Sequence, residues 1–324
     1  MEDVDQNLVP NTDRPQTGQN SVIQTFEVSA EQDGIRLDKF LSLIYPDLSR
    51  SYFQKLIKSS QALVADAPRK PSYEVREGEI VTVQIPPAVQ ADIQAEDIPL
   101  DILYEDEDIL IVNKPKGMVV HPAPGNYSGT LVNAVMHHCQ GQLSGINGEI
   151  RPGIVHRIDK DTTGSLIVCK NDFSHVRIAS QIKAHSVTRR YRGIVVGKPK
   201  EDKGIICADI GRDPKNRKKM AANVPNGRHA VTHYWVLERF FHHTYMEFEL
   251  ETGRTHQIRV HMASIGHPLL ADPLYGPAKC GFKLTGQCLH AMTLGFIHPV
   301  TGEYIEVTAP LPEYFQKLLR SGAL

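Results

Sequence analysis

Two strand-like runs, Ala230–Leu237 and Tyr245–Leu250, follow each other with only seven residues between them. That gap is too short for a parallel crossover, which needs a dozen or more residues, so the two runs are expected to pair antiparallel. Further runs rich in β-branched and aromatic residues lie at Asp108–Asn113, Leu166–Lys170, Tyr191–Val196, Ile205–Ile210, Leu289–Phe296 and Tyr304–Thr308. Helical periodicity is rarer and falls at Leu131–His138, Ser174–Ala184, Thr255–Ser264 and Glu313–Arg320. The expected class is α+β with a mixed, mainly antiparallel central sheet, and a doubly wound parallel sheet is disfavoured.

The texture upstream of Leu100 differs. Residues 1–25 are polar and short of apolar side chains, so a mobile tail is expected. Residues 26–86 read as a small α/β module. Leu37, Phe40, Leu41 and Ile44 sit at helical spacing, Pro46 ends that helix, and Ser49 can cap the next, which carries Phe53, Leu56 and Ile57. Short strands are expected at Ala62–Val64 and Ile80–Ile85. Residues 87–99 read as a linker and 100–324 as a larger domain, in keeping with a 324-residue chain of about two domains.

The five cysteines form no C-x-x-C pair, so neither a disulfide framework nor a zinc finger is expected. No apolar run reaches membrane-span length, and the start Met-Glu-Asp-Val-Asp lacks the marks of a signal peptide. A cytoplasmic protein without a membrane partner is expected. The net charge of −1 conceals strong local bias. Asp92–Asp108 holds eight acids and no Lys or Arg, whereas Arg212–Arg228 holds six basic residues against one acid. Arg50, Lys55 and Lys58 lie on or near the second helix of the small module, where aligned cations suit a phosphate backbone. Phosphate-loop, dinucleotide, H-E-x-x-H and G-x-S-x-G signatures are absent, and nothing asks for a cofactor.

Three stretches carry chemistry. "HRIDKDTTGSLIV" (His156–Val168) places Asp159 between Arg157 and Lys160, in a loop pinned to a strand. Adjacent cations keep such a carboxylate ionised and usable as nucleophile or base. His156, Asp159 and Asp161 could instead hold a divalent ion for hydrolysis, and Arg-x-Asp could be a plain surface ion pair. "RRYRGIVVG" (Arg189–Gly197) sets Tyr191 among arginines, a pattern that can stack a base and hold phosphates. "TGRTHQIRVHM" (Thr252–Met262) runs from a turn into a helix and favours an anion.

Together with "IVNKPKGMVVHP" (Ile111–Pro122), these motifs resemble, in order, those of the RluA/RluD family of RNA pseudouridine synthases, most closely the branch acting on large-subunit ribosomal RNA. The resemblance spans about Ile98 to Leu319, and Gly34–Ile85 resembles the S-4-type RNA-binding domain. It implies conversion of uridine to pseudouridine without a cofactor. By resemblance Asp159 is the essential catalytic group, Arg254 pairs with it, and Tyr191 stacks on the target uracil. Arg157 fills the gap left by the flipped uridine, His156 joins it in contacting RNA, and Asp161 fixes the loop. The implied partner is ribosomal RNA or a ribosomal precursor particle, and a monomer is expected. Three departures stand out: Ser60-Gln61 and Ala65-Asp66 replace the usual glycine turn and Asn-Gly pair, and Ala271 stands where glycine is frequent. Two rival functions remain, a non-catalytic RNA-binding or assembly factor and a metal-dependent RNA hydrolase.

Overall fold

The structure, a computed structural model, describes residues 22–45, 50–85, 93–122, 125–140, 143–145, 152–216, 218–278, 280–322 and 324. Pro46, Ser49 and Arg217 lie outside these residues, as do 1–21. The chain divides into two compact units, Met1–Val89 and Gln90–Leu324.

In the first unit, strand β1 (Val22–Glu27) is followed by helices α1 (Leu37–Ile44) and α2 (Arg50–Lys58), then strands β2 (Ala62–Val64), β3 (Ala67–Pro68) and β4 (Ile80–Ile85). The sheet order is β1-β4-β2-β3. Residues 22–25, expected in a mobile tail, belong to β1, because β4 offers them an open antiparallel edge from Val22↔Ile85 to Glu27↔Ile80. Phe40, Leu41, Phe53 and Ile57 close the core against Val81 and Val83.

The two departures in this unit keep glycine-like geometry. Ser60 has φ 59°, and Gln61 N–H reaches Leu56 O (2.9 Å) while Ser60 N–H reaches Ile57 O (3.2 Å), a Schellman ending to α2. Ala65 and Asp66 form the two-residue β2–β3 turn with φ of 49° and 58°. L-residues are strained in that region by roughly 1–2 kcal/mol each. Ser60→Gly and Ala65→Asn/Asp66→Gly are therefore each expected to stabilise the unit by about 1 kcal/mol, read as a higher denaturant midpoint at unchanged slope.

The second unit opens with β5 (Ile102–Glu105) and β6 (Ile109–Lys114). Helix α3 (Leu131–His138), β7 (Thr163–Cys169), α4 (Asp172–Lys183), β8 (Thr188–Val196) and β9 (Lys203–Cys207) follow. Next come a small hairpin, β10 (Ile210–Arg212) and β11 (Met220–Ala222), then β12 (Val231–Arg239), β13 (His243–Leu250) and α5 (Gln257–Ser264). The chain closes with β14 (Leu289–Ile297), β15 (Tyr304–Thr308) and α6 (Glu313–Arg320). The main sheet runs β5-β6-β7-β14-β8-β13-β12-β9, with β15 also on β14. Among the described residues, only β7 and β14 pair in parallel. The sheet is thus mixed and mostly antiparallel, as expected, and β12 and β13 pair antiparallel across their turn. The expected strand Ile205–Ile210 splits: β9 ends at Cys207, and Ile210 starts the separate hairpin.

The linker expected over 87–99 is shorter at its C-terminal side. Glu96 N–H donates to Asn133 O (3.0 Å), Asn133 Nδ2 donates to Gln94 O (2.7 Å), and the Glu96 carboxylate accepts from Gly129 N–H (3.1 Å) just before α3. The acidic stretch is therefore largely structural. Asp106 accepts the Asp108 and Ile109 amides (2.8 and 2.7 Å) and the Tyr104 hydroxyl (2.5 Å), while Glu105 pairs with Lys170 (3.0 Å).

Candidate active site

The loop before β7 carries Asp159, and its anchoring explains the residues around it. Lys114, at the end of β6, is fully buried. Its Nζ donates to Pro115 O (2.8 Å), Met118 O (2.9 Å) and Lys160 O (2.9 Å). Burial pushes its pKa down to about 7, against the pull of Asp161 and Asp159. Only the ammonium form has three protons for three carbonyls, so we assign Lys114 as charged. The Gly117 amide also donates to Lys160 O (3.0 Å), so the Lys-Pro-Lys-Gly turn grips the loop at the residue after Asp159. Downstream, Gly164 has φ 109°, and a Cβ there would collide with the Ala291 backbone on β14. Glycine lets the two parallel strands approach closely enough to seat the loop.

Asp159 itself is held from the first turn of α5. Its Oδ2 accepts from Arg259 Nη1 at 2.9 Å. Arg259 directs its Nε and Nη2 at Asp272, at 2.7 and 2.9 Å, in a two-point fork. Asp272 is fully buried and also accepts the Leu274 and Tyr275 amides at 2.9 and 3.1 Å. Burial works to lower the Arg259 pKa, and the two aspartates outweigh it and raise it. The guanidinium is therefore a fixed positive charge beside Asp159.

A second contact reaches Asp159 from His256, whose Nε2 stands 3.8 Å from Oδ1. The Met220 amide donates to the Tyr275 hydroxyl (2.9 Å). That hydroxyl then has its proton free for His256 Nδ1, at 2.8 Å. This order places the remaining imidazole proton on Nε2, facing Asp159. Burial lowers the His256 pKa, opposed by Asp159, in line with a neutral ring. The basic stretch Arg212–Arg228, whose described Lys and Arg residues are mostly exposed, is thus tied through β11 to the site.

Asp159 opens on a cavity of about 470 Å³, shared with Tyr191, Arg157, Arg189, Arg254 and Leu289. That size falls in the range that encloses a small ligand. Tyr191 is buried, and burial pushes its phenol pKa up, so it stays neutral. Arg157 is exposed at the rim.

The structure corrects one expected pairing and gives His156 a local partner. Arg254 lines the cavity but does not pair with Asp159: its Nε donates to His229 O at 2.9 Å, and Arg259, five residues on in the same motif, takes the pairing. His156, expected at RNA, uses Nε2 to accept the Ile167 amide at 3.1 Å. Burial, with the Arg189 cation adding to it, pushes its pKa down to about 3. Through the Ile167 bond it braces the loop, and its side chain also lines the cavity. Among the described residues, His156, Asp159 and Asp161 do not form a group with ligand atoms close enough to share a metal ion. Among the described residues, the group with ligand atoms near enough for a metal is Asp106, Asp108 and His298, away from this cavity.

A pH effect follows from His156. Its folded pKa lies below the ordinary 6.5, so the unfolded chain binds the extra proton between pH 6.5 and about 3. Stability is lost as pH falls through that window, by about 1.4 kcal/mol per pH unit for one proton. Melting curves from pH 7 to 4.5 are expected to show this slope, reduced by about one proton in His156→Gln.

On the first unit, Lys55 and Lys58 are exposed, while Arg50 pairs with the buried Asp38 at 3.0 Å. Asp272 and Tyr275 were not singled out by sequence, and Arg259 only as one of the basic residues of an anion-favouring helix. Their signal was present in "TGRTHQIRVHM" and "LLADPLYG", but nothing local shows that an arginine and an aspartate thirteen residues apart share a fork. Ala271, with φ 59°, holds the turn into Asp272 in a conformation suited to glycine.

Comparison with known proteins gives the family. The model of the RNA pseudouridylate synthase family matches residues 108–264, and that of the S4 domain matches 35–81. The uncharacterized RNA pseudouridine synthase YlyB of Bacillus subtilis is 52% identical over 293 residues, covering 90% of this chain and 96% of that protein. The ribosomal large subunit pseudouridine synthase D of Zymomonas mobilis is 47% identical over 307 residues, covering 90% and 95%. Among solved structures, human RNA pseudouridylate synthase domain containing 1 aligns at a TM-score of 0.58 and 25% identity, over 70% of this chain and 89% of that one. With a fixed carboxylate facing a nucleotide-sized cavity, and with relatives of this closeness along nearly its whole length, the chain belongs to the RNA pseudouridine synthases.

Proposed function

We propose that the protein isomerises specific uridines of large-subunit ribosomal RNA, with Asp159 as its essential catalytic group. The observation that carries the mechanism is a single ionisable carboxylate held by Arg259 at the wall of a cavity that also contains Tyr191. The substrate class is supported by the close relatives named for the large ribosomal subunit.

The target uridine leaves its stack and enters the cavity, at a cost of a few kcal/mol that is smallest in a loop. Tyr191 stacks on the uracil. Arg157, at the rim, fills the vacated space in the RNA. Asp159 attacks the nucleotide or removes a sugar proton, and the bond from ribose to nitrogen 1 breaks. The base turns, carbon 5 joins the sugar as the bond to Asp159 breaks or the sugar proton returns, the carbon 5 proton leaves, and nitrogen 1 takes up a proton. No atom is lost and no redox change occurs, so one carboxylate suffices where most glycosidases need two. Arg254 lines the same wall and contacts the nucleotide from there. Lys55 and Lys58 of the S4 domain and the exposed cations of the β10–β11 hairpin grip phosphates. The protein works as a monomer in the cytoplasm, on ribosomal RNA or a ribosomal precursor particle.

The test is incubation with unmodified large-subunit ribosomal RNA, small-subunit ribosomal RNA and transfer RNA, followed by pseudouridine mapping. Conversion at discrete sites of the large-subunit RNA is expected. Conversion confined to transfer RNA would overturn the substrate assignment and leave the chemistry standing.

A further inference from the structure

Arg189, Arg190 and Arg192 share β8, and alternation sends them to two faces. Arg190 pairs with Glu249 (3.1 Å) and Arg192 with Glu247, both across the β8–β13 register. Arg189 lies on the other face, with Tyr191, in the wall of the active cavity. It is 6% exposed. Its Nη2 donates to Glu251 O (2.9 Å) and Leu250 O (3.3 Å), which fix the guanidinium in place. Its buried Nε–H has no acceptor. Among the described residues, no carboxylate pairs with it, and the two acids nearest the chemistry, Asp159 and Asp272, are matched to Arg259.

A buried cation without a counter-ion, with an orphan donor, carries a free-energy cost that folding alone does not explain. The cavity beside it hosts a step of the reaction that creates negative charge. When the bond from ribose carbon 1′ to nitrogen 1 breaks, its electron pair leaves with uracil. That charge spreads over the ring and its two carbonyl oxygens. It is withdrawn when carbon 5 bonds to the sugar, the carbon 5 proton departs, and nitrogen 1 takes up a proton.

We propose that Arg189 is a further catalytic residue, stabilising the negative charge on the detached uracil. The proposal rests on the isomerase reading above. A preorganised donor aimed at developing charge in a water-poor site acts on the transition state more than on bound RNA. Arg189 therefore affects turnover and not affinity.

The experiment uses full-length Arg189→Met and Arg189→Lys with large-subunit RNA that the parent converts. Single-turnover conversion and RNA binding are measured separately, with melting curves as a control. Arg189→Met is expected to convert about 10²–10³-fold more slowly, with RNA affinity nearly unchanged, and added guanidinium restores part of the rate. Arg189→Lys keeps charge but not the planar fork, and falls between the two. Three results would overturn the proposal. One is parent-like conversion by Arg189→Met. Another is a loss that lies in affinity, with a salt slope lowered by about one, which would make Arg189 a phosphate anchor. The third is a loss that follows melting temperature and that guanidinium does not rescue. Failure of the parent itself to convert any uridine would instead strike the functional reading on which this rests.

Discussion

Asp159→Asn is expected to slow pseudouridine formation by on the order of 10³-fold or more while RNA binding and the fold persist. The amide keeps an oxygen for Arg259 Nη1, now 2.9 Å from Oδ2, so the local bond survives in neutral form. What disappears is the negative charge, which the chemistry needs as nucleophile or base. Binding is expected to hold, because the exposed cations of the hairpin and the S4 domain lie outside this substitution. Titration of labelled RNA, beside single-turnover conversion, separates the two. Loss of both together would mean that Asp159 shapes the RNA site and does not act on uridine.

Arg259→Met is expected to damage both stability and turnover. The Arg259 side chain is 5% exposed, and its partner Asp272 is fully buried. Removing one member of a buried pair leaves an uncompensated charge and costs about 3–5 kcal/mol. Asp272 keeps the Leu274 and Tyr275 amides, which limits the loss without cancelling it. The double variant Arg259→Met/Asp272→Leu replaces both charges with apolar side chains and is expected to regain much of that stability. It is not expected to regain activity, since Asp159 still lacks its cation. Melting curves and conversion rates on the four proteins of the cycle give the coupling directly. A single Arg259→Met variant that melts with the parent would show the fork to be energetically idle.

The parts of this molecule legible in the sequence are those whose cause is local. Leu131–His138 and Glu313–Arg320 were bounded correctly because apolar spacing lies within each segment, and Thr130 caps the first. The antiparallel sheet followed from strands separated by gaps too short for crossovers. Strand β1 was not legible, since Val22–Glu27 becomes a strand only because β4 pairs with it. The β10–β11 hairpin was likewise hidden inside what reads as one strand and a basic loop. At the site, Asp159 and Tyr191 stood out by their motifs and face one cavity. The Asp159–Arg259 pair did not, because the loop and α5 are 100 residues apart in sequence and meet only through the sheet. The acceptor role of His156 toward Ile167 was not legible either, because it depends on the fold. The same holds for the arginines of β8: period-two alternation separates them, but only the register with β13 shows which two are neutralised.

The most direct measurement is nucleotide-resolution pseudouridine mapping of unmodified large-subunit ribosomal RNA after incubation with the parent and with Asp159→Asn. The account predicts new pseudouridine at discrete loop uridines with the parent and none with the variant, the RNA remaining intact in both. Conversion by Asp159→Asn, or cleavage of the RNA by the parent, would contradict it.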